Sequence, residues 1–115
     1  MANPVSGPAL REVKADLFRA LAHPARVHVL ELLSNGPAPV SDLLQSTGLE
    51  ASHLSQHLAV LRRSGVVVAQ RRGNAVTYRV AHPSVVSVLA ASRTFLVDTL
   101  AGTRDALAEL EGQQA

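Results

Sequence analysis

From residue 10 onward, apolar positions in this 115-residue chain recur every three or four residues. Leu10, Val13, Leu17 and Leu21 share one stripe, with Arg11, Glu12, Lys14 and Asp16 mostly outside it, which predicts an amphipathic helix ending near Ala22. His23-Pro24 restarts the chain, because proline suits the first turn of a helix and disfavours helix in the residue before it. Val27, Leu30 and Leu33 carry a second helix up to the turn formers Ser34-Asn35-Gly36-Pro37. A third helix of about two turns begins near Val40 and breaks at Gly48, and a fourth follows at once. In that fourth helix Leu54, Leu58 and Leu61 share one face, while Ser52, Gln56, Ala59 and Arg63 point to the opposite side.

After Gly65 the period shortens. Val66 to Arg72 and Ala75 to Val80 are two β-prone runs around Gly73-Asn74, which predicts a hairpin. His82-Pro83 opens a last helix whose Val85, Val88, Leu89, Ser92, Phe95, Leu96 and Leu100 hold helical spacing. Gly102 is expected to fray or kink it before Leu107 and Leu110. The reading is one domain over residues 10–111, with a helix-turn-helix at 41–64, a wing at 66–80 and a dimerisation helix at 83–111. Residues 1–9 form a flexible N-terminal segment and 112–115 a loose tail. The fold class is mainly α with a β-hairpin.

Composition narrows the function classes. The chain is 47% hydrophobic and only 3% aromatic, so Leu, Val and Ala must build the core. With no cysteine it forms no disulfide and holds no thiolate metal site. No apolar run approaches the roughly 20 residues of a membrane span, and Met1 to Gly7 lacks the pattern of a signal peptide, so a cytoplasmic protein without a membrane partner is expected. A hydrolase built on its Ser, His and Asp content lacks a Gly-x-Ser-x-Gly elbow, and one small domain leaves no room for a substrate pocket beside its core. No catalytic residue is assigned.

The net charge of +2 conceals a gradient. Residues 1–49 balance four basic against four acidic groups, and residues 81–115 carry two basic and four acidic groups. Residues 50–80 hold Arg62, Arg63, Arg71, Arg72 and Arg79 against Glu50 alone. Such a segment suits a polyanion, although a solvated basic face gives the same count. Helix, tight turn, helix and hairpin is the order of a winged helix-turn-helix, whose second helix enters the major groove of double-stranded DNA. On that reading Ser52, His53, Ser55 and Gln56 face base edges, and Arg62, Arg63, Arg71 and Arg72 reach phosphates. A protein-interaction module using the basic face for an acidic partner is the alternative, weakened by the lack of aromatic anchors there. The apolar stripe of the last helix exceeds what three short helices and a hairpin can cover, which predicts a homodimer.

The chain resembles the ArsR-type (arsenic-repressor-like) winged-helix regulators. The resemblance rests on Leu21-Ala22-His23-Pro24-Ala25-Arg26, on the stretch from Leu54-Ser55-Gln56-His57 to Ser64-Gly65-Val66-Val67, and on the wing Arg71 to Tyr78. It implies four helices, two strands and a fifth helix, dimerising through the first and last helices, and a repressor released from an inverted-repeat operator by a signal. Many relatives sense metals through cysteines near the third helix, where this chain reads Ala38-Pro39-Val40-Ser41-Asp42. Others use Asp and His of the last helix. The corresponding positions here hold His82, Ser84, Phe95 and Asp98, of which two can ligate. A metal-responsive repressor on His and Asp ligands is therefore the disfavoured variant, since zinc takes about four ligands.

The remaining histidines are read as structural. His23 and His82 precede prolines at helix starts, where capping is expected. His53 and His57 have an i, i+4 spacing able to chelate, but His57 borders the leucine stripe and is read as a packed, hydrogen-bonded imidazole. No metal or cofactor is assigned, and the residues name no effector, small molecule or ion.

Overall fold

A computed structural model describes residues 6–114. Helix α1 spans Pro8–Leu21 and α2 spans Pro24–Leu33, each with proline in its first turn. The His23 imidazole between them accepts the Ala25 amide at Nδ1, 3.0 Å away, and so caps α2 as its sequence context predicts. Strand β1 (Ala38–Pro39) leads into α3 (Val40–Thr47), and α4 occupies Ala51–Arg63. Strands β2 (Val67–Arg72) and β3 (Ala75–Val80) form the hairpin, and α5 runs over Pro83–Gln114.

One core holds these elements. Val29, Leu30 and Leu33 of α2, Leu43 of α3, and Leu54, Leu58 and Leu61 of α4 pack with Val66, Val67 and Tyr78. The leucine spacing that predicted α4 is therefore the spacing of its buried face. Leu17 and Leu21 of α1 and Val85 and Leu89 of α5 close the core from one side. Beyond its first two turns α5 leaves the body, and Phe95, Leu96, Val97 and Leu100 are each between 50% and 65% exposed.

Several boundaries differ from the sequence reading. Residues 1–5 of the segment expected to be flexible lie outside the described residues, but Pro8 and Ala9 belong to α1, as proline tolerates the first helical turn. Residues 112–114, expected as tail, continue α5, and the helix runs through Gly102 without interruption. Ala115 lies outside the described residues. A glycine costs a helix only about 1 kcal/mol, which the surrounding Ala and Leu positions offset.

The two-residue β1 was not anticipated. It pairs antiparallel with β3, Ala38 opposite Tyr78 and Pro39 opposite Thr77, giving the sheet order β1-β3-β2. Hydropathy also changes on the longer helix: Pro83–Gly112 is long and apolar enough to cross a membrane by length and composition, with a mean hydropathy of 1.4 in its best window. Arg93 and Asp98 break the continuous runs but not the average.

Candidate nucleic-acid interface

The turn between α3 and α4 is set by Gly48 and Thr47. Gly48 adopts φ 67° and ψ 11°, the left-handed conformation in which a Cβ is penalised. Thr47 Oγ1 donates to the Leu43 carbonyl at 2.7 Å and accepts the Leu49 amide at 3.3 Å, tying the end of α3 to the loop. With its inner face locked into the core by Leu54, Leu58 and Leu61, α4 turns Ser52, Ser55, Gln56, Arg62 and Arg63 to solvent. These five fall at i, i+3, i+4, i+10 and i+11, a single stripe along the helix.

His53 is also exposed, on the flank of that stripe nearer His57. His57 is half-buried, its ring centroid 4.3 Å from that of His23 and its Nδ1 3.4 Å from Nη1 of Arg26. It is the packed, hydrogen-bonded imidazole that its place beside the leucine stripe predicts. Burial, followed by the charges of His23, Arg26 and His53, holds its pKa below the ordinary histidine value. Arg26, inside the family-like stretch at the start of α2, has no role that its sequence position alone reveals. Its Nε donates to the Ala20 carbonyl at 2.6 Å and its Nη2 to the Arg19 carbonyl at 3.2 Å, so it also satisfies the C-terminal carbonyls of α1.

The hairpin register places Arg72 opposite Ala75 and Arg71 opposite Val76, beside the Gly73-Asn74 loop. Gly73 has φ 61°, the first-position glycine of a two-residue hairpin loop. Strand alternation puts Arg71 on the sheet face that includes Val67 and Tyr78, but beyond the end of the core, and Arg72 on the outer face. Arg79 lies on that outer face too, opposite Val68, and with Gln70, Arg72 and Thr77 lines one shallow depression. The sequence reading left Arg79 out of the site; two-residue alternation counted back through the hairpin register locates it. None of Arg62, Arg63, Arg71, Arg72 and Arg79 is ion-paired among the described residues, where Arg19 and Asp16 of α1 pair on the surface.

His82 caps α5. Its Nδ1 accepts the Ser84 amide at 3.1 Å and lies 2.7 Å from the Ser84 hydroxyl. Two of the four last-helix positions singled out by the family resemblance are thus engaged with each other at the helix start, while Phe95 and Asp98 lie several turns away.

Comparisons with known proteins agree with this arrangement. The family model of bacterial regulatory proteins, arsR family, matches residues 23–68, from the cap of α2 into β2. The uncharacterized HTH-type transcriptional regulator Rv0081 of Mycobacterium tuberculosis is 48% identical over 107 residues, covering 92% of this chain and 91% of its own. The HTH-type transcriptional regulator NmtR of the same species is 40% identical over 75% of this chain and 71% of its own. Among solved structures, the crystal structure of Rv0081 superposes with a TM-score of 0.77 at 47% identity, over 85% of this chain and 98% of that one. The homodimeric winged helix-turn-helix DNA-binding domain Mb0332 of Mycobacterium bovis, solved by NMR, gives 0.75 at 30% identity, over 80% and 85%. An exposed arginine-bearing helix locked over a core, a hairpin wing beside it and relatives matched along nearly the whole chain lead to one assignment: the protein belongs to the arsR family of bacterial regulatory proteins and is a winged helix-turn-helix transcriptional regulator, not an enzyme.

Proposed function

We propose that the protein acts as a homodimeric repressor that binds an inverted-repeat operator in double-stranded DNA. The observation that carries this reading is the solvent-facing stripe of α4, polar at its N-terminal end and basic at its C-terminal end, beside an arginine-tipped wing. An α-helix fits the major groove, where its first turns meet base edges. Ser52, His53, Ser55 and Gln56 take that role, with Gln56 suited to a bidentate pair with adenine. Arg62, Arg63, Arg71 and Arg72 contact phosphates, joined by Arg79 on the outer face of the wing.

Dimerisation uses α1 and α5. The C-terminal end of α1 meets the N-terminal end of α5, with Leu17, Leu21, Val85, Val88 and Leu89 around a shared crevice, and both helices present apolar side chains to solvent. A second copy covering Val13 and Phe18 of α1 and Phe95, Leu96 and Leu100 of α5 removes that surface from water and relates the two α4 helices by a twofold axis. The hydropathy of α5 is thereby read as a protein interface in a cytoplasmic protein, rather than as a membrane span. DNA footprinting upstream of the regulated promoter tests the whole reading. Two protected half-sites about 34 Å apart, related by inverted symmetry, are expected; a single protected segment without symmetry contradicts it.

A further inference from the structure

Arg26 and His57 connect elements that the proposed function assigns to different tasks. The Arg26 guanidinium holds the Ala20 and Arg19 carbonyls at the end of α1, on the dimerisation side of the molecule. Its remaining nitrogen meets Nδ1 of His57, one turn after His53 and next to Gln56 on the DNA-facing helix. Arginine has only donors, so this contact requires an unprotonated His57 Nδ1, with the ring proton on Nε2. From the other side the His23 ring packs at 4.3 Å with an interplanar angle of 47°, its own Nδ1 engaged by the Ala25 amide.

We propose that Arg26 and His57 form a positioning joint that holds α4 in its operator-binding orientation and that opens when His57 gains a proton. This rests on the reading of α4 as the recognition helix. A second proton turns Nδ1 from acceptor into donor and places a positive charge against the permanently charged Arg26. The groups facing His57 are His23 between α1 and α2, Arg26 on α2 and His53 on α4, and no carboxylate is among them to offset the new charge. Nothing in that surround favours the imidazolium, and partial burial disfavours it further. Acid therefore breaks the only side-chain hydrogen bond among the described residues that connects α2 to α4. Neither residue touches DNA in this scheme; both act through the placement of Gln56 and its neighbours.

The sign separates this joint from ordinary electrostatics. Protonating exposed histidines near DNA raises affinity for every sequence, whereas opening the joint lowers affinity for the operator alone. The test measures by fluorescence anisotropy the ratio of affinities for a duplex selected in vitro with this chain and for its scrambled counterpart. For one coupled proton in each protomer the ratio is flat above the free-histidine value of about 6.5 and falls on acidification below it, by up to about tenfold per pH unit for each protomer. H57Q, which keeps an acceptor that does not titrate, loses the fall that His57 carries and keeps only what the base-facing His53 contributes. R26Q, which removes the opposing charge, weakens the response, and R26K, which retains it, preserves it.

An equal fall in H57Q and the wild-type protein overturns the proposal. A wild-type protein that fails to discriminate the two duplexes even at about pH 7.5 instead overturns the reading of α4 on which the proposal rests. Should the variants fail to fold, wild-type histidine titration by NMR decides: reciprocity requires the selected duplex to lower the titration point of His57. A rise at His57 refutes the joint.

Discussion

Truncating Leu96 to alanine probes the proposed dimer face at a position where the structure sets the magnitude. Leu96 is 51% exposed, so its own chain covers about half of its surface and a second copy is left to cover the rest. Leucine to alanine removes about three methylene equivalents, each contributing about 0.8 kcal/mol when fully buried. About half of that, roughly 1.2 kcal/mol, belongs to association, and twofold symmetry doubles it to about 2.4 kcal/mol. The dimer Kd of L96A should therefore rise about fifty-fold. Sedimentation velocity over a dilution series reads this directly, and circular dichroism of the dilute monomer reports the share lost from the chain's own fold. A Kd within about twofold of the wild-type value, with the fold intact, refutes α5 as the interface.

Three further outcomes follow from the same contacts. Gln56→Ala should flatten base preference at one position of each half-site with a modest loss of affinity, whereas Arg72→Ala should weaken all sequences alike and reduce the salt slope by about 1 per protomer; selection and salt titration of both variants compare them. Gly48→Ala should cost about 1 to 2 kcal/mol in urea unfolding, because φ is 67° with no atom within 4 Å of a built Cβ, so the penalty is conformational rather than steric. Since the His57 pKa is depressed on folding, its contribution to stability is complete above the unfolded histidine value near 6.5 and is lost as pH falls through that value toward the lower folded one; H57Q should flatten this part of the stability profile in thermal melts.

The half of the molecule that carries α3, α4 and the wing was legible in the sequence because its constraints are periodic and local. Leu54, Leu58 and Leu61 oriented α4, Gly48 marked the turn and Gly73-Asn74 marked the wing, each through one residue type in one backbone conformation. Strand β1 escaped because two residues, one a proline, carry no alternation, and its pairing with Thr77 and Tyr78 is a long-range choice. The helix read at 83–111 stops three residues short of α5 because Gly112 reads as a break, and the kink expected at Gly102 is absent because a single glycine costs a helix only about 1 kcal/mol. Arg26 escaped for a different reason. A lone arginine early in a helix looks solvated until the fold brings the Ala20 carbonyl and His57 to it. Arg79 needed the hairpin register before it joined Arg72.

The central claim is that the exposed stripe of α4 and the wing bind DNA, specifically and as a dimer. Its most direct measurement is the anisotropy of an in vitro selected duplex and its scrambled counterpart across a salt series at neutral pH. Five arginines in each protomer neutralising one phosphate apiece give a slope of log affinity against log salt near −9, with the selected duplex preferred by about a thousandfold or more. Equal affinity for the two duplexes, or a slope near zero, contradicts the account.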